Sequence, residues 1–156
     1  MLLSFFWYLY GNFLILYYTY YNMLISFEIL QMVNQFTLYL DIVRSQEVID
    51  KYQEFKKKQN NMPNFKKKIL EKENLFHLRI NDFPYYLEEY IQHHVLWMKP
   101  GYNFTPIQIH FYLSQHIDPT YNFTFFENCT RVKSIKEIPH VHVFLKLKNS
   151  DNETKK

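Results

Sequence analysis

Eight residues near the carboxyl end, His140 to Leu147 with the sequence HVHVFLKL, alternate strictly between two kinds of side chain. In an extended chain Val141, Val143, Leu145 and Leu147 fall on one side, and His140, His142, Phe144 and Lys146 on the other. A period of two sustained this long does not fit a helix, so the segment demands a sheet that can bury its aliphatic side. The opposite side is then expected to be the half of the strand that the core does not need. It carries two imidazoles two residues apart, and their purpose is the main question the sequence raises.

At 156 residues the chain suits one domain with a real hydrophobic core. It has no alanine, two glycines and three arginines, and it uses Phe, Tyr, Ile, Asn and Lys heavily. That bias follows codon choice in an AT-rich genome and says little about the fold. With only Gly11 and Gly101 available, a glycine-rich phosphate loop is excluded. The net charge of +3 is mild, and Lys56–Lys58 and Lys66–Lys68 read as solvated faces of helices. A nucleic-acid footprint would interleave aromatics or arginines with such charges, so no nucleic-acid partner is expected. The single cysteine, Cys129, rules out an intramolecular disulfide and suits a reducing compartment.

Residues 1–27 contain no charged side chain and are numerous enough to cross a bilayer as a helix. Their many tyrosines, Asn12 and Asn22 argue against a span, and the amino end lacks the basic residues of a signal peptide. The readings that stay open are an anchor or interfacial segment, a translation start that really lies at Met23 or Met32, or a loosely packed extension. The expected division is a hydrophobic extension over 1–36, an α+β domain over 37–148 and a disordered tail over 149–156. A cytoplasmic location is expected unless residues 1–27 act as an anchor.

The remaining elements follow from periodicity and turn chemistry. Phe36 to Gln59 is patterned as a helix with Val48, Tyr52 and Phe55 near one stripe. "NNMPNF" breaks it, and "KKKILEKENLF" reads as a shorter helix. "HLRI" and "HHVLWM" read as strands separated by "NDFPYY", where Pro84 removes a ladder donor. Thr105, Pro106 and Gln108 form a capping-box start for a helix to about His116, closed by Asp118-Pro119. "YNFTFFE" and "HVHVFLKL" complete a largely antiparallel sheet with flanking helices.

"RSQEVIDKYQEFKKK", "NDFPYYLEEYIQHHVLW" and "SIKEIPHVHVF" resemble the successive blocks of an uncharacterised family. That family includes the fungal N-acetylglucosamine-induced proteins and relatives in large DNA viruses, and the likeness spans about residues 38–146. A remoter resemblance is to the histidine-triad nucleotide hydrolases and transferases. "LRINDFPYY", "HHVLWM", "TPIQIHFYL", "YNFTFFE" and "HVHVF" follow their order of elements. This resemblance implies His142 as the nucleophile, His140 as its orienting neighbour, and Asn81 or Asp82 at the ribose-contacting position. Phe144 departs from the pattern, because that place belongs to a side chain that donates a hydrogen bond to phosphate.

Three readings of His140 and His142 follow. In the first, a neutral imidazole attacks a phosphorus centre, with its second nitrogen held by an acceptor such as a backbone carbonyl. Asn128, Arg131, Lys133, Ser134 and Lys146 are then candidate phosphate donors, and His94 a further ligand-binding residue. In the second, the pair holds a metal ion with Glu137, His93 or His94 as third ligand, although no ligand spacing nominates a site. In the third, the fold is a non-catalytic binding or interaction module. The expected ligand is a nucleotide or phosphorylated small molecule, with no cofactor; a homodimer and membrane contact stay open.

Overall fold

The computed structural model describes residues 7–10, 13–16, 24–36, 44–58, 74–128, 133 and 135–148. Strands β1 (Trp7–Tyr10) and β2 (Phe13–Leu16) form a short antiparallel hairpin. They are followed by helices α1 (Phe27–Phe36) and α2 (Gln46–Lys58). The remaining elements are β3 (Phe76–Ile80), β4 (Ile91–Met98), α3 (Pro106–His116), β5 (Tyr121–Phe126) and β6 (His140–Leu147). The four later strands form one antiparallel sheet in the order β3-β4-β6-β5, so the fold is α+β.

The capping box forms as its sequence demands. Thr105 is extended, its hydroxyl accepts from the Gln108 amide, and the Gln108 side chain accepts from the Thr105 amide at 2.8 Å. Downstream, Asp118 accepts from the Thr120 amide at 2.8 Å and turns the chain into β5. α3 buries Ile109 and Leu113 on Leu96, Met98, Phe125, Val141, Val143 and Leu145. The aliphatic side of β6 therefore faces this helix, as the alternation predicts. Of the expected helix over "KKKILEKENLF", residues 66–73 lie outside the described residues, as do 37–43 of the patterned run and the tail 149–156.

Two expectations are corrected. The domain does not begin at 37. Ile25, Phe27, Leu30 and Val33 pack against Tyr85, Ile91, Phe126 and Phe144 on the second face of the sheet. The segment is also tied through its backbone: Ile25 donates to Tyr86 O at 3.1 Å and accepts from the Glu88 amide at 3.2 Å. Glu28 meets the buried Lys146 at 3.3 Å. Consequently the second side of β6 is not spare surface. The strand lies between β4 and β5, and α1 covers part of its other face, so Phe144 is 0% exposed and His140 and His142 only 5% and 6%.

Removing residues 1–31 takes away Ile25, Phe27 and Leu30, whereas removing 1–22 leaves them in place. Urea unfolding should therefore be cooperative for the 23–156 fragment and lost or strongly weakened for 32–156. Leu30→Ala should cost about 2–5 kcal/mol in the full chain, because the side chain is fully buried.

Candidate functional site

The register of the sheet decides which imidazoles meet. His93 lies opposite Phe144, Val95 opposite His142 and Trp97 opposite His140, so all six side chains share one face. His94 lies opposite Val143 and points to the α3 side; burial holds its pKa below the ordinary value. His93 thus enters the site, and the expected contribution from His94 is overturned by the alternation of side chains. The ring of His93 lies flat on Phe144, centroids 4.6 Å apart. Phe144 therefore forms the floor beneath His93.

The polarity of the network can be read from one group that cannot change its role. The backbone N–H of Tyr85 donates to His93 Nδ1 at 3.1 Å, so that nitrogen carries a lone pair. Neutral His93 then has its proton on Nε2 and donates it to His142 Nδ1 at 2.9 Å. His142 in turn carries its proton on Nε2, which faces Tyr85 Oη at 3.2 Å and the Asn128 amide at 2.9 Å. With the Asn128 Nδ2 in that position two donors would oppose each other. The turned amide, with Oδ1 there, accepts from both His142 and the Tyr85 hydroxyl and satisfies every group.

The turn between β3 and β4 supplies the rest of the support. Asn81 Oδ1 accepts from the Phe83 amide at 3.0 Å, an Asx turn that places Pro84 and Tyr85. Its Nδ2 lies 3.1 and 3.4 Å from the two nitrogens of His93, a position open only above the ring face. Arg44, which precedes α2, donates from Nε to Phe83 O at 3.0 Å and lays its guanidinium over the Tyr85 ring at 4.9 Å. Tyr52 and Phe55 of α2 pack on Phe83 at 5.0 and 4.9 Å.

His140 differs from its neighbours. Its Nδ1 donates to the Ile138 carbonyl at 2.8 Å, since a carbonyl can only accept. The neutral ring therefore presents a lone pair at Nε2. One side of the ring lies against Trp97, centroids 4.7 Å apart. Lys133 pairs with Glu127, and the charge of Lys133 acts on both His140 and His142.

Of the residues expected at the site, Asn81, Asn128, His140 and His142 belong to this cluster, and Lys133 bears on it electrostatically. Asp82 does not; it is exposed and paired with Arg79 at 2.6 Å. Arg131 and Ser134 lie outside the described residues. Lys146, on the same face, reaches Glu28 at the far end of the strand instead. The expected nucleophile His142 has both nitrogens committed, one accepting and one donating, so it offers no lone pair for attack. Tyr85 and Arg44 escaped the sequence reading, and His93 entered it only as a candidate third metal ligand.

Burial is the largest influence on His142, holding its pKa down to about 3, with the charges of His140, Arg44 and Lys133 acting in the same direction. Burial likewise holds His93 well below the ordinary value, helped by His142, Arg44 and His94. The Tyr85 hydroxyl is pushed up, first by burial. The network is therefore neutral at pH 7. Among the described residues no group of three or more His, Cys, Asp or Glu could hold a metal ion. The His93–His142 separation of 2.9 Å is that of a hydrogen bond, shorter than the roughly 3.4 Å expected between two nitrogens on one tetrahedral ion.

Residues 27–146 match the family described as "Protein of unknown function (DUF3605)". No curated protein matches the chain. It is similar to a solved structure described as "Crystal Structure of HTC1", with 21% identity over 78% of this chain and 85% of that one, and a TM-score of 0.56. At that identity the likeness shows the fold alone.

The depressed imidazole pKa values set a pH dependence with a definite sign. On unfolding in acid, His93 and His142 take up protons that the folded state refuses, so their contribution is complete above about pH 6.5 and is lost as the pH falls, for His142 toward about pH 3. Denaturant midpoints should drop steadily from pH 7 to pH 4.5, each such histidine adding up to about 1.4 kcal/mol per pH unit. His142→Gln should flatten that slope while lowering stability at pH 7.

Proposed function

We propose that this chain, which belongs to the family described as protein of unknown function (DUF3605), binds a phosphate ester such as a nucleotide beside the start of β6 and acts on it through His140. The observation that carries this reading is the 2.8 Å hydrogen bond from His140 Nδ1 to the Ile138 carbonyl. It fixes the tautomer whose Nε2 lone pair can attack phosphorus. In the remote resemblance to histidine-triad enzymes the nucleophile was His142. His140, one strand period away on the same face, takes that role here because its Nε2 keeps a lone pair.

The electrostatic setting supports an anionic ligand. The charges acting on His142 are those of His140, Arg44 and Lys133, and His140 feels Lys133 together with the opposing carboxylate of Glu127. Arg44 has no carboxylate partner among the described residues. Lys133 exchanges Glu127 for phosphate when the ligand binds. In the reaction, His140 Nε2 gives its electron pair to phosphorus and the bridging P–O bond breaks. The leaving pyrophosphate departs as an anion. Water then displaces the imidazole, forming a P–O bond and releasing the nucleotide and a proton. A nucleoside acceptor in place of water makes the same sequence a transfer.

A second reading is favoured by the burial of His140, 5% exposed, and by the Lys133–Glu127 pair. Under it the same cluster binds the anion without forming a bond.

Incubating the full chain with α-labelled nucleoside triphosphate and quenching in base should trap an acid-labile adduct. His140→Ala should abolish the adduct and His142→Gln should retain it. Lys133→Ala should weaken nucleotide binding about tenfold, the loss of one charge-assisted contact. An adduct that survives His140→Ala overturns the assignment. Saturable binding with no adduct in the wild-type chain selects the second reading.

A further inference from the structure

The guanidinium of Arg44 is fixed in place while its charge is unmatched. Nε donates to Phe83 O at 3.0 Å, and Cζ lies over two rings, 4.9 Å from the centroid of Tyr85 and 5.5 Å from that of Tyr52. The N–H groups of Nη1 and Nη2 donate to no acceptor among the described residues. Lys56, one helical turn beyond Tyr52, brings its Nζ to 4.5 Å from the centroid of the same Tyr52 ring. Two cations therefore converge on one aromatic side chain.

The carboxylates of the same elements are engaged elsewhere. On α2, Glu47 pairs with Lys51, Glu54 pairs with Lys58, and Asp50 accepts from Gln46. In the turn that carries Phe83, Asp82 is paired with Arg79. The ring attracts each cation, but the two charges repel one another, and no described acid bridges them. An anion touching both removes that repulsion.

We infer that Arg44 and Lys56 form an oxyanion site where α2 meets the turn between β3 and β4, and that its ligand is a phosphate monoester. An arginine fork gives parallel N–H bonds to two oxygens of one group, and a lysine ammonium adds a further contact as a point charge. A phosphate monoester offers three terminal oxygens to this set, whereas a carboxylate offers only two. Because Phe83 O and the two rings already hold the guanidinium, binding costs little of its side-chain freedom. Lys56, exposed on the helix surface, closes on the ligand. His140 stands elsewhere, at the start of β6 beside Trp97 and Ile138, so this site does not depend on the reaction proposed there.

Titrating the full nitrogen-15-labelled chain with inorganic phosphate, while following the arginine Nε–H signals by NMR, tests this. The Arg44 signal should shift saturably, and acetate should bind roughly tenfold more weakly. Lys56→Ala, a change at an exposed side chain, should weaken phosphate binding at Arg44 about tenfold. Lys133→Ala should leave that affinity within about twofold, so failure of the chemistry assigned to His140 would not disturb this result. An Arg44 signal that does not move overturns the proposal, as does a response unchanged in Lys56→Ala. A response lost in Lys133→Ala places the anion at His140 instead, and equal affinity for acetate assigns the site to carboxylates; either outcome also overturns it.

Discussion

A single backbone N–H, that of Tyr85, fixes the state of the polar network buried in this protein. It can only donate, so His93 must accept, and from there each proton position follows: His93 donates to His142, and His142 donates to Asn128, which also accepts from the Tyr85 hydroxyl. Reversing any one member would set donor against donor inside a region from which water is excluded, at a cost of several kcal/mol. The imidazoles are neutral because their surroundings are buried and already positive through Arg44 and Lys133. A directed chain of neutral groups is stable there; a charged one is not.

The architecture divides labour between the two faces of the sheet. On one, α3 closes an aliphatic core built from β3, β4, β5 and β6. On the other, α1 and the turn at 81–86 enclose aromatics and imidazoles together. Phe144 belongs to both roles, because it packs under α1 and also floors His93. An aromatic side chain at this position has a structural reason: polar surface at that point would face Leu30 and Phe126. The same arrangement leaves His140, at the end of the strand away from Lys146 and α1, as the imidazole with an uncommitted nitrogen.

Much of the local structure was legible in the residues. The capping box at Thr105, the strand alternation at His140–Leu147 and the Pro84 break are short-range effects, set by backbone sterics and side-chain reach. The face shared by His140, His142 and Phe144 was legible too, because period two leaves no other arrangement. What could not be read was which neighbour would meet them. His93 and His94 differ by one residue and point opposite ways, and only the register between β4 and β6 chooses His93. Arg44 reaches Phe83 across 39 residues of sequence, a contact with no local signal beyond the scarcity of arginine.

The sequence by itself determined the strands, the capped helix and the side of β6 on which the imidazoles stand, since each depends on neighbours within a few residues. Tertiary structure alone decided that this side is buried, that α1 belongs to the core, and that His142 is saturated while His140 is not. Burial and hydrogen-bond direction depend on what the rest of the chain brings to each side chain. No count along the chain contains that information, because the partners of His142 come from a turn and a strand 49 to 57 residues earlier and a loop 14 residues earlier.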